Sequence, residues 1–170
     1  MLLAFPSILL AMLIVASIGP GFWSVVIAIS FTWWPWHARL ARSQAYSLRG
    51  EMYVIAARAM GLSRAKILLK HVIPNAIGAN LIQASADLGS VLVAAAGLSF
   101  LGLGIQEPTA DWGLEIAQGR NYFPSYWWIA TFPGLFLSMT VLGFAMMGES
   151  IREHIDPRLR QLVKRRTLFG

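Results

Sequence analysis

The sequence has no cysteine, so neither a disulfide framework nor a thiolate metal site is available to it. Charge is nearly as scarce. Asp, Glu, Lys and Arg make up 13% of the 170 residues, with 8 acidic against 14 basic. Soluble domains carry about a quarter charged residues. The stretches Met1–Ala38, Val72–Ala86, Leu88–Gln106 and Asn121–Gly148 contain none at all. These absences exclude a soluble enzyme, a disordered tail and a nucleic-acid module, despite the net charge of +6. No basic segment precedes the first apolar run, and a second apolar run follows almost at once. That pattern argues against a secretory leader and for a spanning helix, in a chain whose natural start is expected further upstream. A Gly-rich phosphate loop ending in Lys-Ser or Lys-Thr is also missing, so ATP hydrolysis would have to reside on another polypeptide.

What is present is hydrocarbon. Hydrophobic residues make up 56% of the chain and aromatic ones 12%. A bilayer core needs roughly 20 apolar residues in a helix, and an open sheet there would leave backbone groups unpaired. The expected fold is therefore an all-α, polytopic membrane bundle in one transmembrane domain, residues 1–170. Four spans are predicted, at about residues 2–18, 22–38, 75–103 and 126–148. Gly19-Pro20-Gly21 breaks the first from the second, because Pro lacks a donor and Gly is entropically costly in a helix. The second is expected to continue as helix towards Tyr46. Pro133 lies near the outer end of the fourth.

Orientation follows from the basic residues. Arg39, Arg42, Arg49, Arg58, Arg64, Lys66 and Lys70 face the single acid Glu51 between spans two and three. Between spans three and four, Arg120 is outnumbered by Glu107, Asp111 and Glu115. The tail after span four is basic again. The positive-inside rule places the loop 47–74 and the tail 149–170 in the cytoplasm, and the loop 104–125 outside. Trp33, Trp34 and Trp36, and Trp127 with Trp128, then form interfacial belts at opposite faces. Topology accounts for the excess of positive charge without nucleic acid.

The loop 47–74 reads as two short helices joined by a sharp turn. Met52, Ile55, Ala56 and Ala59 recur at helical spacing on one face, with Arg58 turned away. Gly61 is placed to leave that helix in a left-handed conformation. Ser63 can cap the next helix, in which Ile67, Leu68 and Val72 alternate with Arg64, Lys66 and Lys70. Pro74 is expected to close the unit and open span three. The residues alone allow a second reading, an amphipathic loop lying on the inner leaflet.

Ala56-Ala57, three residues, Gly61, and then a segment ending Ile73-Pro74-Asn75 resembles the EAA loop of ABC-importer permeases. More narrowly, Glu51-x-Tyr53-Val54-x-Ala56-Ala57-Arg58-Ala59-x-Gly61 is similar to the dipeptide/oligopeptide/nickel permease branch. Three further blocks agree: Leu98-Ser99-Phe100-Leu101-Gly102-Leu103-Gly104, Trp112-Gly113 with Gly119-Arg120, and Ile155-Asp156-Pro157-Arg158. The resemblance covers Leu2 to Arg160. It implies a bundle like the type I ABC-importer permeases, with the last four of the usual six spans present. It implies a multi-pass inner-membrane transport subunit, not an enzyme, that forms the path for di- or oligopeptides or similar solutes such as nickel chelates. Glu51, Tyr53, Ala56, Ala57, Arg58 and Gly61 would form the coupling loop that docks into a cleft on an ATP-binding subunit. The implied partners are those ATPase subunits, a second homologous permease, an extracytoplasmic solute-binding protein and the lipid bilayer. No cofactor would be bound by this chain, ATP and Mg²⁺ residing on the ATPase. One departure is plain: Ile55 occupies the motif's opening Glu position, with Glu51 one turn earlier. The competing reading is a passive channel or a structural membrane subunit without an ATPase.

Asp87 is the one charge within a predicted span. An intramembrane carboxylate costs a few kcal/mol unless it faces water, a partner or the bundle interior. It either lines the path with Gln83 and Ser90, which share its face, or is satisfied structurally by a neighbouring polar group. Ser85 with Gly89, and Ala86 with Ser90 and Ala94, form a small-residue seam suited to close helix contact with spans two and four or with the partner permease. Gly97, Gly102 and Gly104 either loosen a gate at the outer end of span three or simply terminate its helix. His37, His71 and His154 lack the partners of a metal site or of serine–histidine catalysis.

Overall fold

A computed structural model of the chain describes residues 5–155, and those are helical between short turns. The helices are α1 (Ser7–Ile18), α2 (Phe22–Leu48), α3 (Met52–Ala59), α4 (Arg64–Ile67), α5 (Ile73–Phe100), α6 (Trp112–Gly119) and α7 (Trp128–Ile155). A π-helical turn, Leu68–Val72, joins α4 to α5, and a 3₁₀ turn, Arg120–Tyr122, follows α6. Asp156-Pro157-Arg158, and most of the tail predicted at 149–170, lie outside the described residues.

The described residues divide into two compact units, one of residues 5–35 with 86–146 and one of 36–85 with 147–155. In the first, Ala11 and Val15 of α1 meet Val25, Ala28 and Ile29 of α2 and Leu98 of α5. The α2 residues repeat at three and four positions, as a single helical face must. Thr32 continues that face and is buried, its hydroxyl donating to the Ala28 and Ile29 carbonyls at 2.9 and 3.1 Å. Gly19 and Gly21 make the α1–α2 turn with φ of 105° and 149°, as the Gly-Pro-Gly breaker predicts. The seam on α5 is used in part: a Cβ on Gly89 would lie 3.2 Å from the Val141 side chain of α7, and Ala94 packs against the α1–α2 core.

Helix lengths depart from the predicted boundaries. Within the span placed at residues 2–18, α1 begins only at Ser7, after Pro6, and has 12 residues. At 1.5 Å per residue that is about 18 Å, short of a hydrocarbon core of roughly 30 Å. In contrast, α2 reaches Leu48 with Pro35 inside it, and α7 runs past residue 148 to Ile155. Two described helical runs, Arg64–Phe100 and Trp128–Glu153, are long and apolar enough to cross a membrane. On α7 the side chains of Leu135, Phe136, Met139, Leu142 and Met146 are all at least half exposed. Leaving side chains of this kind in water forfeits about 1.5–3 kcal/mol each, so this surface requires lipid or another helix.

Candidate functional site

The second unit is organised around the loop that carried the strongest sequence signal. Its core is Val54, Ala57, Ile67 and Val72, all less than 9% exposed, with Ala45, Leu48 and Leu62 packed around them. α3 therefore buries the face bearing Val54 and Ala57 against α4, the π turn and the end of α2. The predicted face does exist, but it points outward. Met52 is 82% exposed and Ile55 49%, and Ala56, Ala59 and Met60 are exposed beside them.

The end of α3 is a Schellman motif. The Leu62 amide donates to the Ala57 carbonyl at 3.2 Å and the Gly61 amide to Arg58 at 3.0 Å. Gly61 takes φ of 78°, the left-handed value expected of it. Leu62 then folds back onto the same small core as Ala57, the hydrophobic contact that accompanies this cap. Ser63 caps α4, its hydroxyl accepting from the Lys66 amide at 3.4 Å.

Two expectations for the loop need correction. Ala57, counted with Ala56 as part of a small docking surface, is 1% exposed and belongs to the loop's own core. Successive helical residues point about 100° apart, so Ala56 stays exposed while Ala57 turns into the core. Pro74 does stand in the first turn of α5, as expected of the residue that opens span three, but it does not interrupt the helix. The helix runs from Arg64 to Phe100, and the π turn absorbs the proline. The Ile73 amide reaches back five residues to the Leu68 carbonyl, and the Asn75 side-chain amide donates to the His71 carbonyl at 2.7 Å. Widening the ladder by one residue accommodates a ring that would clash in a regular α-helix. Leu68, predicted to join Ile67 and Val72, is 46% exposed.

The remaining loop residues, Glu51, Tyr53 and Arg58, are all exposed, with the Tyr53 and His71 rings 6.4 Å apart. Of the pathway set, Gln83 and Asp87 are half-buried and Ser90 is exposed; the Oδ2 atom of Asp87 is withdrawn from solvent. Asp87 and Ser90 lie in the first unit, Gln83 in the second.

At the other end of α5, Gly102 is a second Schellman cap. Leu103 N–H donates to the Leu98 carbonyl and Gly102 N–H to Ser99, both at 2.9 Å, with φ of 79° at Gly102. Helix termination, not a loosened gate, is its role. Ser99 is 2% exposed, and its hydroxyl accepts the Ile105 amide at 3.3 Å. A Cβ on Gly113 would stand 2.2 Å from the Ala96 carbonyl oxygen, and one on Gly119 2.7 Å from the Ala130 amide nitrogen. These glycines let α6 lie directly on the backbones of α5 and α7. Asp111 caps α6, accepting the Leu114 amide at 2.9 Å. Sequence reasoning noticed these glycines only as parts of a familiar block.

It also read Arg42, Arg49 and Arg64 mainly as topology signals and Arg58 as a coupling-loop residue, and did not group the four. Arg42, Arg49, Arg58 and Arg64 line a single cavity of about 740 Å³ in the second unit. Arg42 near the end of α2 and Arg49 just past it, seven residues apart, were the available clue.

Residues 1–161 match the family described as binding-protein-dependent transport system inner membrane component. The chain is 40% identical to the probable D,D-dipeptide transport system permease protein of Escherichia coli (strain K12), over 92% of the chain and 53% of that protein. It is 40% identical to the dipeptide transport system permease protein of Alkalihalophilus pseudofirmus, over 94% of the chain and 52% of that protein. With the nickel transport system permease protein of Escherichia coli (strain K12) the identity is 36%, over 94% and 57%. The chain spans about half the length of the curated relatives it matches.

Proposed function

The chain belongs to the inner-membrane components of binding-protein-dependent transport systems, and from that premise we propose that it lines the translocation path of an ABC importer. Its solutes are di- or oligopeptides or similarly sized compounds such as nickel chelates, a reading supported by relatives named for dipeptide and for nickel transport. Spans at α1, α2, α5 and α7 pair with those of a second homologous permease. The loop carrying α3 and α4 lies in the cytoplasm, as does the C-terminal tail. α6 lies outside, where a loaded solute-binding protein engages. ATP and Mg²⁺ belong to a separate ATPase, and nucleotide-driven closure of that subunit moves the loop between inward- and outward-facing states.

The outward face of α3 is the observation that carries this reading. A helix of eight residues has already buried Val54 and Ala57, yet Met52, Ile55, Ala56, Ala59 and Met60 remain uncovered. Apolar and small residues on an exposed helical face suit close approach by a second protein surface. The Schellman cap and the hydrophobic core beneath hold that face in place, and α4 passes without a break into α5. A push on the loop therefore has a continuous helix to act on.

The test uses the full-length permease expressed with its ATPase subunits. Replacing both Met52 and Ile55 by Asp should leave the permease in the membrane, abolish co-purification of the ATPase and stop ATP-dependent uptake. Undiminished association would refute the docking assignment, and ion conductance by the permease without any ATPase would favour a passive channel.

A further inference from the structure

The four-arginine cavity has no part in the docking face just described. Arg42 reaches it from α2, Arg49 from the turn that follows α2, Arg58 from the last turn of α3 and Arg64 from the first residue of α4. Its apolar wall includes Val54, Ile67 and Val72, the core of the unit. Among the described residues none of the four guanidinium groups is in an ion pair, and Glu51, the only acid of the loop, is not part of the lining. The Arg49 guanidinium lies 5.5 Å from the centre of the Tyr46 ring, which orients it. Four like charges around one concavity repel one another, and an anion at its centre relieves that repulsion.

Topology does not explain the choice of residue. The positive-inside rule counts Lys and Arg alike, yet Lys66 and Lys70 of the same loop stay out of the cavity while four arginines line it. Arginine's planar fork donates paired hydrogen bonds to an oxyanion, whereas lysine offers a point charge. We infer that this cavity binds a phosphate group, carried either by an anionic phospholipid or by a free phosphate. Arg42 lies six residues beyond the exposed Trp36, about 9 Å along α2, a distance comparable with the thickness of a headgroup layer. The lipid source rests on the cytoplasmic placement of this loop proposed above; the free-phosphate source does not.

The experiment uses the assembled full-length permease–ATPase complex, with assembly read separately so that failure of the proposed coupling is recognised by itself. One arm titrates inorganic phosphate into the detergent-solubilised complex by calorimetry. The other incorporates it into nanodiscs of phosphatidylglycerol or of phosphatidylcholine and counts retained lipids by native mass spectrometry. Binding in the first arm identifies free phosphate, and selective retention of phosphatidylglycerol in the second identifies lipid. The double substitution R42Q/R64Q should weaken whichever binding is seen by about 100-fold, roughly tenfold for each charge-assisted contact removed. R42K/R64K keeps the charge, guards against a folding artefact, and should still weaken binding severalfold. K66Q/K70Q removes as much charge from the same loop and should leave binding unchanged. The inference is overturned if the wild-type complex takes up neither species, or if the lysine pair matters as much as the arginine pair. It is also overturned if R42Q/R64Q loses only the ATPase, since the anion would then be an acidic protein segment.

Discussion

Enlarging one alanine or its neighbour should separate the loop's own packing from its docking. Ala57 is 1% exposed, beneath Leu62 and against Val54, Ile67 and Val72. Ala57→Leu adds three carbon atoms to that closed space, and overpacking of this kind costs about 1–3 kcal/mol. The cost falls on the α3–α4 unit, so amides held by its cap, such as Leu62 N–H, should exchange roughly 5- to 150-fold faster. Ala56 is exposed, and Ala56→Leu should change the stability of the isolated permease by no more than about 0.5 kcal/mol. At a close interface, however, the same three carbons must displace a partner's backbone or side chains. Ala56→Leu should therefore leave hydrogen exchange in the loop unchanged while weakening ATPase association about tenfold or more. The assay is hydrogen exchange on the full-length permease in detergent, paired with quantitative co-purification of the ATPase. Normal association of the Ala56 variant, or wild-type exchange at Leu62 in the Ala57 variant, would refute the division of roles.

Gly61→Val places a β-branched residue at φ of 78°. At least about 1–2 kcal/mol of strain should unlatch the cap and abolish uptake without loss of membrane insertion, checked by parallel abundance and transport measurements. Gly113→Ala drives a methyl group to within 2.2 Å of the Ala96 carbonyl oxygen and should lower the thermal stability of the full-length protein. Gly134→Ala, whose nearest neighbour would be a side-chain carbon at 3.9 Å, should be neutral or slightly stabilising; equal effects of the two would discredit the close approach of α6 to α5. Asp87→Asn keeps the side chain's size and removes its charge. If Asp87 lines the path, abundance should hold while uptake falls or changes solute preference, whereas constant uptake per molecule with altered abundance assigns a structural role.

The loop was the most legible part of the sequence because its signals are local. A glycine at a left-handed cap and a serine at an N-cap act within four residues, and both are where spacing put them. The apolar face of α3 was also read correctly as a face. Its direction was not legible, because period alone cannot say whether an apolar stripe meets the chain's own core or another molecule. Val54 and Ala57 offered a competing stripe, and only the position of α4 decides between them. Pro74 marked the start of α5 but misled about a break there, for a related reason. A proline inside a helical pattern normally marks a boundary, and nothing in the residues announces a π turn that removes the clash. The cavity arginines were invisible as a group because three separate helices and the turn after α2 bring them together.

The glycines where α5, α6 and α7 meet bear on how such a permease moves. A gate at the end of span three would need slack there, and the described contacts leave little. Gly104 has no room for a Cβ beside Ser99, Gly113 lies on the Ala96 backbone, and Gly119 lies on the backbone of Ala130. Gly102 is committed to a Schellman cap whose Leu98–Leu103 contact joins the core of α1 and α2. α5, α6 and α7 are thus fastened at this end through backbone approaches that do not deform gradually, since close-packed interfaces shift between discrete arrangements. A local bend at Gly102 would break two hydrogen bonds and expose Leu98, which is fully buried. Bodily displacement of these helices together with the α1–α2 core breaks none of these contacts. The proposed transport cycle is therefore better served by rocking against the partner permease than by a hinge within this chain.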